Sequence, residues 1–559
     1  MAKIHSLKIK NFRGIENLEQ VFGITDFVCL IGRGDSGKTT ILDAISKVLS
    51  PMWNQTFYDT DFYNGIVSNP IEIEASVYDL PNSLSNENKY GFYIRGLDKQ
   101  TNIIHDEIKD EHEEILTIKL EVDKSLEPKW FVVNNRENQE SIEIRANDRA
   151  KLNVFLVSDF IDKHFSWNKG NPLYSLLKQE DSLGEKNSII IDALREAKQE
   201  IDTNSFKHLE DVVKKIIQTA SELGTDIKDT TTTIDFKDIS FSDHKICLHD
   251  DKIPFRLKGK GSKRIISIAI QTELSKLGGI LLIDEIEQGL EPDRAQHLAK
   301  TLKTNNKGQI FMTTHSRDVL VELNTTDLFR VKKNGINLYE FESSLQACVR
   351  SNPEAFFSNK VIVCEGPTEV GFCRGLNNYL INTKDVNAAI KGIRFANGGG
   401  STQIDYTKAF VKAGYKVCLF CDSDVQKVND EKASLISLGV KVVDSEINKA
   451  MENHIFEDLP WSAIQELIDY RIQEKGEDSV KASVETKFGT ELNGNWKETD
   501  SLKLRTAIYK SSTAKKKEWF KRIDHGEVLG DKSLKYKSEL VGKKLGFQID
   551  ELISWIENA

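Results

Sequence analysis

Apolar and polar residues alternate through Ile4–Lys10, and Phe27–Ile31 is a short unbroken apolar run; the first predicts a strand covered on one face, the second a strand buried on both. Gly32–Thr39 follows directly, and then TILDAISKVL, apolar at helical spacing. Further strand patterns occupy Ile71–Val77 and Ile115–Val122. Between Phe160 and Thr225 the period changes to that of helices, in SIIIDALREAKQEI and FKHLEDVVKKIIQTASEL, before strand-like residues resume over Thr232–Leu248. From Arg264 to Val331 the pattern predicts helix (IISIAIQTEL), strand (GILLID), helix and strand (GQIFMTT). After Ser351-Asn352-Pro353, a new apolar strand KVIVC begins, then a glycine-rich turn at Asn397–Gly400 and a strand at Val417–Phe420. Strands alternating with helices imply a parallel sheet in each half and an α/β fold class.

The 559 residues suffice for three or four domain-sized units. The expected division is 1–159 and 226–350 as two halves of one nucleotide-binding head, 160–225 as a helical insertion suited to a dimerisation arm, and 351–559 as a second α/β domain with a basic C-terminal region. Hydrophobic residues at 39% and charged residues at 29% exclude a mostly disordered chain. No apolar run approaches the roughly 18 residues of a membrane helix. The N-terminal MAKIHSLKIKNF has no apolar core of a secretory signal, so no membrane partner and a cytoplasmic location are expected.

Seven scattered cysteines do not form a disulfide framework. Cys418 and Cys421 lie three apart in a predicted strand and so face opposite ways, which excludes a shared metal. The net charge of −10 argues against a chain coated in nucleic acid, yet Ser501–Phe547 carries 13 Lys and Arg against 5 Asp and Glu. Within it, Lys515-Lys516-Lys517 precedes Trp519-Phe520-Lys521-Arg522. Lysines beside aromatics suit a phosphate polyanion, whereas a solvated helix face is the simpler use of the same charges.

Gly32-Arg33-Gly34-Asp35-Ser36-Gly37-Lys38-Thr39-Thr40 contains GxxxxGK[ST] between a strand and a helix. Its glycines let backbone N–H groups surround phosphates, Lys38 reaches the β and γ phosphates of ATP, and the Thr39 hydroxyl ligates Mg²⁺. Gly279–Glu285 is an apolar strand ending in Asp284, a partner for Mg²⁺, and Glu285, a base for the attacking water. His315, in the segment TTHS, stands at a strand end where it meets the γ phosphate. Upstream, Lys258–Arg264 opens a helix as a signature motif does, although KGKGSKR departs from LSGGQ. Ser262 there is the candidate for gripping the nucleotide of a second subunit. Gln288 and Arg294 follow Asp284-Glu285 in a region suited to dimer contact. The order of these motifs is that of an ABC-type ATPase head divided by a long insertion.

Val361–Glu369 is a strand, then Glu365-Gly366, then Glu369 one helical turn on. Leu419–Asp424 is a second strand, ending in Asp422-Ser423-Asp424. Parallel strands that both stop in carboxylates bring those groups to one sheet edge, where they suit hard divalent cations. Two such cations activate water and stabilise the leaving oxygen of a phosphodiester.

This second constellation resembles the Toprim domain of topoisomerases, DnaG-type primases and OLD-family nucleases. With the head in front of it, the chain resembles an OLD (overcoming lysogenization defect) family ATP-dependent endonuclease, on KIHSLKIKNFRGI, GRGDSGKTT, LLIDEIEQGLEP, TTHS, EGPTE and DSD. The resemblance leaves out the helical insertion and the last hundred residues. It implies Glu365, Glu369, Asp422 and Asp424 as ligands of Mg²⁺ or Mn²⁺, Glu365 also as an acid/base, and a late lysine near the scissile phosphate, here Lys517 or Lys521. Gln426 stands where the topoisomerase DxDxD has its third acid, so a second metal needs another acid, and Glu452 and Glu457 in MENHIFEDLP are the candidates within reach. The implied activity is ATP-dependent cleavage of nucleic acid, with double-stranded DNA first and RNA open, in antiphage defence. A homodimer or higher homo-oligomer and a defence-system partner protein or RNA are implied as well. The alternative is an ATP-driven sensor or RecF-like repair clamp whose Toprim domain docks a partner or acts on RNA.

Overall fold

The computed structural model describes residues 2–158, 161–166, 171–179, 196, 209–222, 247–276, 279–305, 308–333 and 337–558. Phe27–Ile31 has every residue buried, as an apolar run between two covered faces requires. It lies inside a six-stranded sheet in the order Val154–Val157, Ile280–Ile283, Gln309–Thr313, Phe27–Ile31, Leu328–Arg330, Tyr339–Glu340. The first five strands run parallel and only the last pairs antiparallel. The register sets Ile283 beside Met312, so the acids after one strand meet the threonines after the next.

The parallel sheet expected for the head is only half of it. Lys3–Phe12, Ile15–Val21, Ile71–Tyr78 and Glu113–Val122 belong to a separate eight-stranded antiparallel sheet. Their alternating patterns are compatible with this arrangement, since one face of the sheet packs against helix Lys38–Val48. Lys3–Phe12 has a tight turn to Ile15–Val21, which permits antiparallel pairing without a crossover.

The first described residues of the expected 160–225 insertion lie against the head. Asp162–Phe165 is packed into the head, with Phe165 1% exposed and His164 Nδ1 2.6 Å from Ser267 Oγ. Ser166 bridges to Cys247, and Leu173 of the next described helix joins the same core as Phe165. Helices Pro172–Gln179 and Glu210–Glu222 lie between; SIIIDALREAKQEI, apart from Glu196, and most of the strand pattern at Thr232–Leu248 fall outside the described residues.

The C-terminal half holds a four-stranded, wholly parallel sheet in the order Ile393–Asn397, Lys360–Cys364, Lys416–Cys421, Lys441–Asp444. Cys418 and Cys421 point into two different cores, as their spacing requires. One core runs from the head sheet into this sheet through Phe341, Phe356, Phe410 and Tyr415. Arg330, on the last parallel strand of the head, stacks 3.8 Å over the Tyr415 ring and donates to the Ala413 carbonyl at 3.0 Å. A desolvated cation over an aromatic face is worth about 2 kcal/mol, which ties the two sheets together.

Helix Pro367–Lys384 crosses helix Ile523–Lys535 so closely that a Cβ on Gly371 would lie 2.1 Å from the Ile523 carbonyl, and one on Gly526 2.2 Å from the Thr368 carbonyl. Gly371, Gly375, Gly526 and Gly530 form the seam. Small residues four apart on both helices let backbones touch. This crossing brings Lys521 to the end of the second sheet.

Among the described residues no helix is long and apolar enough to cross a membrane, and the seven cysteines are free thiols.

Candidate functional site

Two sites form at the carboxyl ends of two parallel sheets, the place where an α/β fold leaves loops and helix N-termini converging. In the head, Gly32 and Gly37 sit at φ 151° and 104°, and a Cβ on Gly32 would lie 2.5 Å from the Val331 carbonyl. Helix Lys38–Val48 then starts with Thr39 and Thr40 in its first turn. The Lys38 ammonium is held under the loop by the carbonyls of Gly32 at 3.0 Å and Arg33 at 3.1 Å, with Ser36 Oγ at 3.5 Å. Burial lowers its proton affinity, while Asp284, Glu285 and Glu287 act in the other direction.

Thr39 Oγ1 donates to Asp284 Oδ2 at 3.0 Å, so a hydroxyl and a carboxylate already face each other as a magnesium ligand pair would. Thr313 was not singled out in the sequence, yet it joins the two acids. Its hydroxyl donates to Asp284 Oδ1 at 2.7 Å and accepts from the Glu285 N–H at 2.7 Å. Glu285 has φ 48°, the left-handed region that non-glycine residues avoid. Glu287, also unforeseen, accepts from Thr314 Oγ1 at 2.7 Å and from the His315 N–H at 2.6 Å, which fixes the His315 loop. Burial, then Lys38, keeps the His315 imidazole below its ordinary proton affinity, and therefore neutral at pH 7.

Arg264 is buried in the head. It donates to the carbonyls of Ser158 and Glu285, both at 3.0 Å, and to Gln288 Oε1 at 3.1 Å. Gln288 is thus bound to its own chain, whereas Arg294 and Ser262 are exposed. Arg33 leaves the loop altogether and donates to the Ile390 carbonyl of the C-terminal half at 2.7 Å.

The second site is built on Glu365, immediately after strand Lys360–Cys364, and Asp422, immediately after strand Lys416–Cys421. Glu365 Oε2 accepts from the Asp422 N–H at 3.0 Å. Asp422 Oδ1 accepts from the Met451 N–H at 2.7 Å, and Glu369 Oε2 from the Gly366 N–H at 2.7 Å. Carboxylate oxygens of Glu365, Asp422 and Asp424 lie within 4.8 Å of one another, and so do those of Glu369, Asp422 and Glu452. Asp422 belongs to both triplets. Glu452 therefore joins the cluster, and Glu457 does not: it pairs with Lys449 at 2.6 Å.

Glu369 is 5% exposed, and burial, with Glu452 nearby, pushes its carboxyl up to about 8. Burial, then Glu452, Glu369 and Glu365, raises Asp422 well above the usual carboxylate range. Burial raises Glu452 also, against the charge of Lys521. Acids crowded this way, with Lys521 the one cation set against Glu452, have the donor set of a hard divalent cation, with room for two that share Asp422. Lys521 follows Phe520, whose carbonyl accepts from Thr368 Oγ1 at 2.8 Å next to Glu369. Lys517 lines the cleft that Lys521 also lines. Trp519 and Phe520 are each 2% exposed, which removes them as faces for stacking on bases.

A family model described as an AAA domain, "putative AbiEii toxin, Type IV TA system", matches residues 27–322, and one described as the Toprim domain of overcoming lysogenization defect protein-like proteins matches 356–424. The second match ends at Asp424, so Glu452 and Lys521 lie beyond it. Similar solved structures include an SMC head bound to the C-terminal winged-helix domain of ScpA (17% identity, 60% of this chain and 96% of that one, TM-score 0.34). Others are the recombination mediator RecF with ATP (13%, 60% and 99%, 0.31) and the SMC head domain from Thermotoga maritima (14%, 61% and 99%, 0.27). No curated protein matches the chain.

Proposed function

This chain belongs to the AAA-domain ATPase family and has the ATPase–Toprim architecture of OLD-type proteins, and on that footing we propose that it is an ATP-regulated, divalent-metal-dependent nuclease. Its substrate is nucleic acid, double-stranded DNA in the first place, and its setting is antiviral defence in the cytoplasm. The family descriptions, a toxin of a type IV system and overcoming lysogenization defect, support that setting.

The observation that carries the reading is the pair of carboxylate triplets meeting at Asp422. A docking module or clamp gains nothing from burying like charges together, since their desolvation and repulsion oppose folding until a cation compensates them. Glu365, Asp422 and Asp424 hold one Mg²⁺ or Mn²⁺, and Glu369, Asp422 and Glu452 the other. When bound, such ions activate water and stabilise the leaving oxygen of a phosphodiester. Lys521, beside Glu452, contributes positive charge where the scissile phosphate comes in.

In the head, Lys38 and the loop amides bind the phosphates of ATP, and Thr39 with Asp284 holds Mg²⁺. Glu285 orients the attacking water from a backbone pinned by Thr313, and neutral His315 donates to the γ phosphate. The exposed Ser262 grips the nucleotide of a second copy, so the working form is a homodimer or higher homo-oligomer.

Incubating plasmid with Mg²⁺ or Mn²⁺, with and without ATP, tests the reading. Glu365→Ala and Asp422→Ala should each eliminate cutting and leave ATP hydrolysis intact, because the two sites use separate sheets. Cutting by both variants at the wild-type rate would refute it.

A further inference from the structure

A cleft of about 670 Å³ opens between helix Trp461–Lys475, helix Glu477–Phe488 and the turn that precedes helix Ile523–Lys535. Six of its lining side chains are cationic and two are carboxylates. Glu474 is engaged by Arg471 at 3.2 Å and by His525 at 3.2 Å, and Arg522 pairs with Asp524 outside the cleft. Lys475, Lys516, Lys517 and Lys521 are exposed and form no ion pair with a described carboxylate. Four ammonium groups thus converge on a cleft where Glu518 is the one lining carboxylate not engaged by Arg471 or His525, in a chain whose net charge is −10. Like charges gather against their mutual repulsion where a polyanion is to be met.

The opposite wall carries hydroxyls, from Ser479, Ser483 and Thr486. His525, 5% exposed, lines the cleft with a buried Nδ1 that has no hydrogen-bond partner. The cleft and the acidic cluster are neighbours: Lys521 lines the one, and Phe520 is hydrogen-bonded to Thr368 next to Glu369 of the other.

We propose that this cleft seats the phosphodiester backbone of the nucleic acid and leads it to the carboxylate cluster. The inference rests on reading that cluster as a nuclease site, and it adds where and how the substrate is held. Ammonium and hydroxyl groups recognise phosphate oxygens, which are the same in every sequence. With Trp519 and Phe520 buried in the core, no aromatic face is offered to a base, so the cleft reads backbone and not sequence.

The full chain carrying Lys475→Gln and Lys516→Gln together tests this, since both side chains are exposed and neither belongs to the metal or ATP site. Binding of a fluorescein-labelled thirty-base-pair duplex is followed by anisotropy in EDTA across a salt series, with two unrelated sequences. The double variant should bind at least tenfold more weakly at low salt, with a slope of log affinity on log salt shallower by about two, roughly one for each ammonium withdrawn from a phosphate. Both sequences should behave alike. An unchanged melting temperature and ATPase rate show that the variant is folded. Unaltered affinity and slope, or a strong preference for one sequence, would overturn the proposal. Hydrolysis of bis(p-nitrophenyl) phosphate by the unaltered protein with Mn²⁺ reports the metal site separately. Diester hydrolysis with unweakened duplex binding in the variant defeats the cleft alone; weakened binding without any diester hydrolysis defeats the nuclease reading alone.

Discussion

Replacing Glu369 with Gln removes a charge from the most enclosed position of the acidic cluster while keeping the shape and an acceptor for the Gly366 N–H. An unfolded glutamate releases its proton near 4.5, and in the folded protein Glu369 holds it up to about 8. The folded state therefore binds more protons than the unfolded state between those values, so stability is full below 4.5 and falls as pH rises towards 8. At 1.36 kcal/mol per pH unit, the loss accumulated from 4.5 to 7 is about 3 kcal/mol. Glutamine does not titrate and escapes that loss. In EDTA, Glu369→Gln should match the wild type near pH 5 and melt several degrees higher at pH 8. With Mn²⁺ the order should reverse, because the wild type gains a compensating cation and the variant loses a ligand. Differential scanning fluorimetry at both pH values, with and without metal, reads all four conditions. A variant no more stable than the wild type at pH 8 in EDTA would refute the claim that these acids are folded against their own repulsion.

Lys38→Ala should abolish ATP binding, and Glu285→Gln should keep binding while slowing hydrolysis by about 10² to 10⁴, the usual range for losing a positioned base; equilibrium binding of a fluorescent ATP analogue and a phosphate-release assay separate the two. Thr313→Val removes the hydroxyl that spans Asp284 and Glu285 but retains the volume, and should lower ATP turnover at least tenfold with little change in melting temperature. Gly371→Ala places a methyl 2.1 Å from a backbone carbonyl of the facing helix, so that helix must shift; a loss of about 2 kcal/mol or more is expected in urea unfolding, with weaker nuclease activity as Lys521 moves and with normal ATPase activity.

The local chemistry of this protein was legible in its sequence. Phe27–Ile31 had to be a buried strand because no polar residue interrupts it, and the glycines after it had to form a loop because Gly32 and Gly37 occupy backbone angles that side chains resist. Glu365 and Asp422 could be placed at one sheet edge because each ends an apolar run. Resemblance to known families supplied the roles, and its motifs stopped near Asp424. The tertiary structure decided the rest. Glu452 lies in a helix 28 residues beyond Asp424, and only packing that helix against the sheet separates it from Glu457, which turns to Lys449 instead. Trp519 and Phe520 stand in sequence beside the lysines suited to a polyanion, yet burial consumes both rings in the core. The antiparallel half of the head depends on which strands neighbour one another, a matter of long-range pairing that a period of two cannot specify. Thr313, Arg264 and Arg33 owe their places to contacts with residues far along the chain. Spacing along a chain reports what a residue can do within its own strand or helix; partners across the fold are set when separate elements bury their faces together.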